Sequence, residues 1–179
     1  MTVRLGSLEL QPAQHDQLAP PVVAALAAMP AIAAQAHTVA IDPDLADTAA
    51  LTERFDLDPE ASANCVIVLG KRGGEIRPAA CVILASTRAD VNGLVRRTID
   101  TRKCSFAPQD WAVAETGMEY GGITPVGVPE GWPILVDSAV TEQPWVLLGS
   151  GLRRSKLALP GAALAELPGA QVLEGLGLS

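Results

Sequence analysis

Asn64-Cys65-Val66-Ile67-Val68-Leu69, then Gly70-Lys71-Arg72-Gly73-Gly74, then Ala79-Ala80-Cys81-Val82-Ile83-Leu84-Ala85: the fold is read from this stretch. Two apolar runs rich in β-branched residues flank a segment with turn chemistry, the pattern of an antiparallel hairpin. Runs this apolar place both strands at the centre of a sheet.

Working outward, Thr87-Arg88-Ala89-Asp90 matches a capping box, with a hydroxyl at the cap and a carboxylate three residues on. It predicts a helix to about Ile99, with Val91, Leu94, Val95 and Ile99 at helical spacing. Upstream, Asp44–Phe55 reads as a helix capped by Asp47 or Thr48, and His37–Asp42 as a short strand. Residues 21–35 are alanine-rich and helical, with Pro30 kinking or dividing the helix; residues 1–20 read as a loose arm or an edge strand. Downstream, Lys103–Phe106, Ile134–Val136, Trp145–Leu148 and Leu157–Leu159 read as strands, and Pro108–Thr116 as a short helix ended by Gly117. Pro160–Leu167 adds a small helix and Gln171–Leu173 a short segment. The expected architecture is α+β, a mixed central sheet with surrounding helices. It forms one domain over residues 1–179, of which 1–33 are an N-terminal arm and helix.

Composition narrows the function. The chain has 179 residues, 49% hydrophobic but only 3% aromatic, so its core is built of Ala, Val, Leu and Ile. A formal net charge of −7 argues against a protein that grips long nucleic-acid backbones. DNA is not an expected partner, and any RNA contact must be small, local or shared. The basic clusters Lys71-Arg72, Arg96-Arg97, Arg102-Lys103 and Arg153-Arg154 with Lys156 read as solvated surface. Three cysteines without CxxC or HxxxH spacing suggest neither a disulfide framework nor a metal site, and Cys65 and Cys81 read as small buried hydrophobes. The first residues lack a signal-peptide pattern and Pro20–Ala36 is too short for a membrane span, so the cytoplasm is expected and a membrane is not.

No catalytic constellation stands out. His15 and His37 have no partner at motif spacing, and no Walker loop, zinc motif or dinucleotide fingerprint occurs, so no cofactor is expected. What remains is Tyr120-Gly121-Gly122-Ile123-Thr124-Pro125-Val126-Gly127. Adjacent glycines let a ligand approach the backbone and let several N–H groups converge on one oxygen. An ordinary turn fits the same residues. Gly149-Ser150-Gly151 invites the same two readings, and Asp137, at the end of Ile134-Leu135-Val136, is either a cap or a side chain aimed into a site.

The order of these pieces is informative. A strand and a helix beginning near Thr48 precede the hairpin; Asp90-x-Asn92 opens the next helix and a Lys-x-Ser-Phe-Ala segment follows at Lys103–Ala107. The Gly121–Gly127 loop, with Gly121 and Pro125 as a Gly-x-x-x-Pro pair, the strand ending in Asp137 and the Gly-Ser-Gly turn complete the series. From about Ala34 to the C-terminus this resembles the YbaK family, which includes the prolyl-tRNA-synthetase-associated editing domains. The resemblance implies a barrel-like sheet and a trans-editing deacylase that hydrolyses the ester of a misacylated tRNA. It implies that water attacks with help from the substrate's own groups and that no side-chain nucleophile is needed. The implied partners are the aminoacylated tRNA 3′ end and an aminoacyl-tRNA synthetase. In this reading Asn64, Gly121, Gly122 and Thr124 are the catalytic residues, and Pro125, Asp137, Gly149, Ser150 and Gly151 bind substrate. One position departs from the family: its hairpin-strand lysine aligns with Asn64, an amide that hydrogen-bonds but carries no charge. Lys71 is no substitute, being about 20 Å away along an extended strand. The alternative is therefore a non-catalytic module of the same fold that binds a tRNA end, an amino acid or a nucleotide.

Overall fold

A computed structural model describes residues 1–179. The chain opens with strands β1 (Val3–Leu5) and β2 (Leu8–Pro12), helices α1 (Pro20–Ala27) and α2 (Pro30–Ala33), strand β3 (His37–Ala40) and helix α3 (Thr48–Phe55). The hairpin follows as β4 (Ala63–Arg72) and β5 (Glu75–Leu84), then β6 (Arg88–Ala89), α4 (Arg96–Thr98), β7 (Lys103–Phe106) and α5 (Gln109–Thr116). The remainder is β8 (Ile134–Asp137), α6 (Ser138–Thr141), β9 (Val146–Gly149), β10 (Ser155–Leu159), β11 (Ala170–Leu173) and β12 (Gly177–Leu178).

Two five-stranded sheets form, ordered β1-β2-β3-β10-β9 and β11-β8-β5-β4-β7. The hairpin lies inside the second sheet, as its apolar runs predict. Strand β8 pairs in parallel with both β5 and β11. The sheets approach through a parallel bridge between Ser62 and Leu147, curling the whole into a half-barrel. The largest core cluster lies between them. Ala63, Ile67, Ala80 and Val82 from the hairpin meet Val146, Leu148, Leu157 and Leu159 from β9 and β10, with Val22 and Leu26 of α1. Alternate residues of the same strands face outward into smaller clusters. Val68, Ala79, Cys81 and Ile83 pack on Val91, Val95 and Ile99, while Leu147 and Ala158 pack on Leu51 of α3.

Several elements settle alternatives that the sequence left open, and others differ from the sequence reading, each for a local reason. Of the two readings of residues 1–20, the edge strand holds: β1 and β2 form an edge hairpin whose Leu8 and Leu10 are buried while Arg4 and Glu9 pair in solvent. Pro30 divides the alanine-rich helix outright, because it starts α2 at a position where no backbone N–H is needed. The hairpin turn is shorter than Gly70–Gly74. Gly70 still pairs with Arg77, and only Gly73 (φ 56°) and Gly74 (φ 83°) lie between the strands. Two consecutive positive-φ residues are what a two-residue turn matched to strand twist requires. Helix α3 begins at Thr48, after a separate 3-10 turn at Pro43–Leu45, and Asp47 is its cap, accepting from the N–H groups of Ala49 and Ala50.

The capping box at residues 87–90 is corrected most. Thr87 does not cap; its hydroxyl donates to the carbonyl of Leu84 at 2.8 Å. Asp90 caps instead, its carboxylate accepting from Gly93 N (3.1 Å) and Leu94 N (2.9 Å), and the turn it opens, Val91–Val95, is π-helical. Replacing Asp90 with Ala therefore lowers the unfolding free energy by about 1 kcal/mol in a urea titration, whereas Thr87→Ala, which leaves both capped N–H groups satisfied, costs less.

Candidate functional site

The N-terminal turn of α3, the start of β4 and the loop after α5 meet the C-terminal end of β9 and the start of β10 around a cavity of about 520 Å³. Its lining includes Asp47, Thr48, Asn64, Gly121, Arg153 and Lys156. Asn64 is the second residue of β4, paired with Ile83, and half-buried. Thr48 donates its hydroxyl to Asn64 Oδ1 at 2.8 Å, which fixes the amide plane. The two N–H groups of Nδ2 have no acceptor in the protein. Neither the backbone N–H of Gly121 nor that of Ile123 makes a bond within the chain, although both residues line the cavity. These are the unspent donors that a site binding an ester carbonyl requires.

One buried cation joins them. Lys156 lies in β10 between Val39 of β3 and Gly149 of β9, is only 7% exposed, and donates from Nζ to the carbonyl of Ala46 at 3.2 Å. Burial pushes its ammonium below the ordinary lysine range; the Asp47 carboxylate opposes that shift and the Arg153 guanidinium adds to it. Arg153 bridges the cavity mouth, donating to the carbonyls of Tyr120 (3.1 Å) and Pro43 (3.2 Å). Cys65 also lines the cavity, but burial first and Cys81 second hold its thiol well above the usual range, so it is no nucleophile. Neither histidine lines the cavity. His37 is buried, donating from Nδ1 to the Gln35 carbonyl at 2.9 Å and standing edge-on to Trp145.

Of the residues singled out in the sequence, Asn64, Gly121 and Gly149 reach this cavity. Six do not. Gly122 has spent its backbone: its N–H donates to Glu119 O and its carbonyl accepts from Gly151 N. Thr124 is fully buried, its hydroxyl without a partner and its N–H directed at Met118 Sδ. Pro125 lines a different, apolar cavity of about 540 Å³ beside Met29 and Trp132. Asp137, 4% exposed, caps α6 and accepts from Gly177 N at 3.0 Å, so it pins the C-terminal segment rather than facing a ligand. Ser150 is internal: its hydroxyl donates to Ser155 Oγ at 2.7 Å, and the Ser155 hydroxyl in turn donates to Gln17 O at 2.8 Å. Gly151 is likewise buried, beside Ala19.

Glycines 122 and 149 are explained by close approach. A Cβ on Gly149 would lie 2.4 Å from Gly122 O, and one on Gly122 would lie 2.7 Å from Leu152 O. Backbone is stacked on backbone here, and that stacking holds Gly121 and Ile123 at the rim. The residues that sequence reasoning missed are Thr48 as an orienting group and Lys156 with Arg153 as cavity cations. Lys156 did leave a signal: it is a single charge inside the strand Ser155-Lys156-Leu157-Ala158-Leu159, whose other side chains carry no charge.

A family model described as "Aminoacyl-tRNA editing domain" matches residues 42–167, well over half of the chain. Among solved structures, a crystal structure of a proposed trans-editing enzyme for prolyl-tRNA synthetase is 19% identical, with a TM-score of 0.73, covering 90% of this chain and 99% of the other. A hypothetical protein matches at 20% identity and the same TM-score, covering 85% of this chain and 97% of its own. A scaffold from a computational epitope-grafting study matches at 20% identity over 90% of this chain and all of its own, again with a TM-score of 0.73. At such identities these structures establish the shared fold. No helix in the chain is long and apolar enough to cross a membrane.

Two measurements test the geometry. Gly122→Ala forces a methyl against the Leu152 backbone and lowers stability by about 1–3 kcal/mol in chemical denaturation. Lys156→Met removes a buried charge whose folded pKa lies below 10.5. Between that lowered value and 10.5 the unfolded chain binds the extra proton, so wild-type stability rises with pH across this window. The variant is therefore the more stable protein at neutral pH, by about 1 kcal/mol, and its advantage shrinks as pH climbs towards the ordinary lysine value.

Proposed function

Because this chain belongs to the aminoacyl-tRNA editing domain family, we propose that it hydrolyses the ester linking an amino acid to the 3′ end of a wrongly charged tRNA. The observation that carries this is the convergence of unspent donors on one cavity. The Asn64 amide is oriented by Thr48, and the N–H groups of Gly121 and Ile123 bond to nothing else in the chain. Donors held in place before the reaction stabilise the oxygen that becomes negative when water adds to the ester carbonyl. As the carbon–oxygen bond to the ribose breaks, the proton from the attacking water leaves with the ribose oxygen, giving free amino acid and a tRNA hydroxyl. The cavity offers no histidine to activate a hydroxyl, the Thr48 hydroxyl is spent on Asn64 and burial keeps the Cys65 thiol protonated, so direct attack by water is the route this lining favours. Water is activated by the substrate's own groups.

Gly149 supports the loop that carries Gly121, and Asn64 stands where the family's hairpin lysine is expected. With a net charge of −7, the protein meets mainly the aminoacylated end of the tRNA, and a partner synthetase holds the rest.

The test is release of amino acid from tRNA charged with alanine, cysteine, serine or proline by the purified protein. Selective hydrolysis of one mischarged species is expected. Asn64→Ala slows it about tenfold, the loss of roughly one hydrogen bond, while Cys65→Ala retains wild-type turnover. If every species survives while aminoacyl-tRNA still binds, the chain is a binding module of the same fold and not a hydrolase.

A further inference from the structure

Lys156 and Arg153 are the two cations of the cavity, and neither forms an ion pair with a carboxylate. The protein's ion pairs all lie elsewhere, joining Arg4 to Glu9, Arg72 to Asp100, and Arg77 to Glu75 and Asp100. An ammonium has three N–H donors, and Lys156 uses one, on Ala46 O. A guanidinium has five, and the Arg153 side chain gives bonds to only two carbonyls, Tyr120 O and Pro43 O. Of the acids around the site, Asp47 is committed to capping α3 through Ala49 N and Ala50 N, Glu119 accepts from the backbone N–H of Arg153, and Asp44 lies exposed at the lip. A buried cation without a directly paired counter-ion is costly, and such cost is retained where a ligand supplies the missing partner.

We propose that Lys156 and Arg153 form an anion subsite that takes a phosphate of the substrate's terminal nucleotide. The positive charge absent at Asn64 then enters the same cavity from the opposite sheet. Asn64 lies on β4 of one sheet and Lys156 on β10 of the other, and the two line a single space. Arg153, bridging residues 43 and 120 at the mouth, presents a planar fork suited to phosphate oxygens, and Lys156 supplies a point charge at depth. The assignment rests on the deacylase reading for the identity of the nucleotide, but its test does not need turnover.

The test is calorimetric titration of the intact protein with adenosine 5′-monophosphate, adenosine and inorganic phosphate. Wild type is expected to bind the monophosphate at least about tenfold more tightly than adenosine. Lys156→Met should bring the monophosphate down to the adenosine level and leave adenosine affinity unchanged, while Lys156→Arg should recover part of the preference. A melting temperature no lower than wild type shows that the Met variant is folded. Equal affinity of wild type for adenosine and its monophosphate, absence of binding by both, or a phosphate preference that survives Lys156→Met each overturns the subsite. Inorganic phosphate competing as well as the monophosphate overturns its assignment to a nucleotide. A preference that depends on Lys156 in a protein that releases no amino acid from any charged tRNA would sink the hydrolase reading and leave the subsite standing. Hydrolysis untouched by Lys156→Met, with no phosphate preference, would do the reverse.

Discussion

The structure depends on strand segments that are covered on both faces. Ala80 and Val82 of β5 face the space between the sheets, while Ala79, Cys81 and Ile83 face the helix that begins at Val91. A strand covered on both sides has no solvent face to tolerate a register slip; moving it by one residue would exchange two differently shaped cores. With β4 and β5 immobilised in this way, β8 can add in parallel on one side and β7 on the other, and the second sheet closes across the larger cluster. The rigidity of the hairpin is what gives Asn64, at the beginning of β4, a defined place.

The cavity exists because backbone meets backbone beside it. The end of β9 passes so close to residues 122 and 123 that no side chain fits between them, and the same loop is tied back by Gly151 N to Gly122 O at 2.7 Å. Polar groups that make these ties are used up, and those one residue either side are left over. The alternation separates support from chemistry: Gly122 holds, while Gly121 and Ile123 present. It also explains why a loop dense in glycine contributes only part of itself to the site.

The fold was legible because its determinants are local. The two apolar runs, the glycine turn, the cap at Asp47 and the division at Pro30 each act within a few residues, and their sum gives the right layers. The site was legible only where a family pattern pointed to it. Asp137 illustrates the limit: a carboxylate ending a buried strand has the same sequence signature whether it faces a ligand or, as here, the backbone of Gly177. Lys156 illustrates the converse. Beside Arg153 and Arg154 it looks like one more solvated charge, and only the pairing of β10 between β3 and β9 reveals that it is enclosed. Long-range pairing, which a linear reading does not supply, decided both.

The first forty residues lie outside the stretch that the family model matches, yet they brace the strand bearing Lys156. Strand β3 is the lateral neighbour of β10, Arg154 reaches Asp16 O, Ser155 reaches Gln17 O, and Ala19 N is held by Ser150 O. A fragment trimmed to residues 42–167 would keep every residue that lines the cavity and lose the strand and loop that hold β10 in place. The portion of the chain that identifies its ancestry is thus smaller than the portion that must fold together, and the boundary of the working unit is drawn by strand pairing.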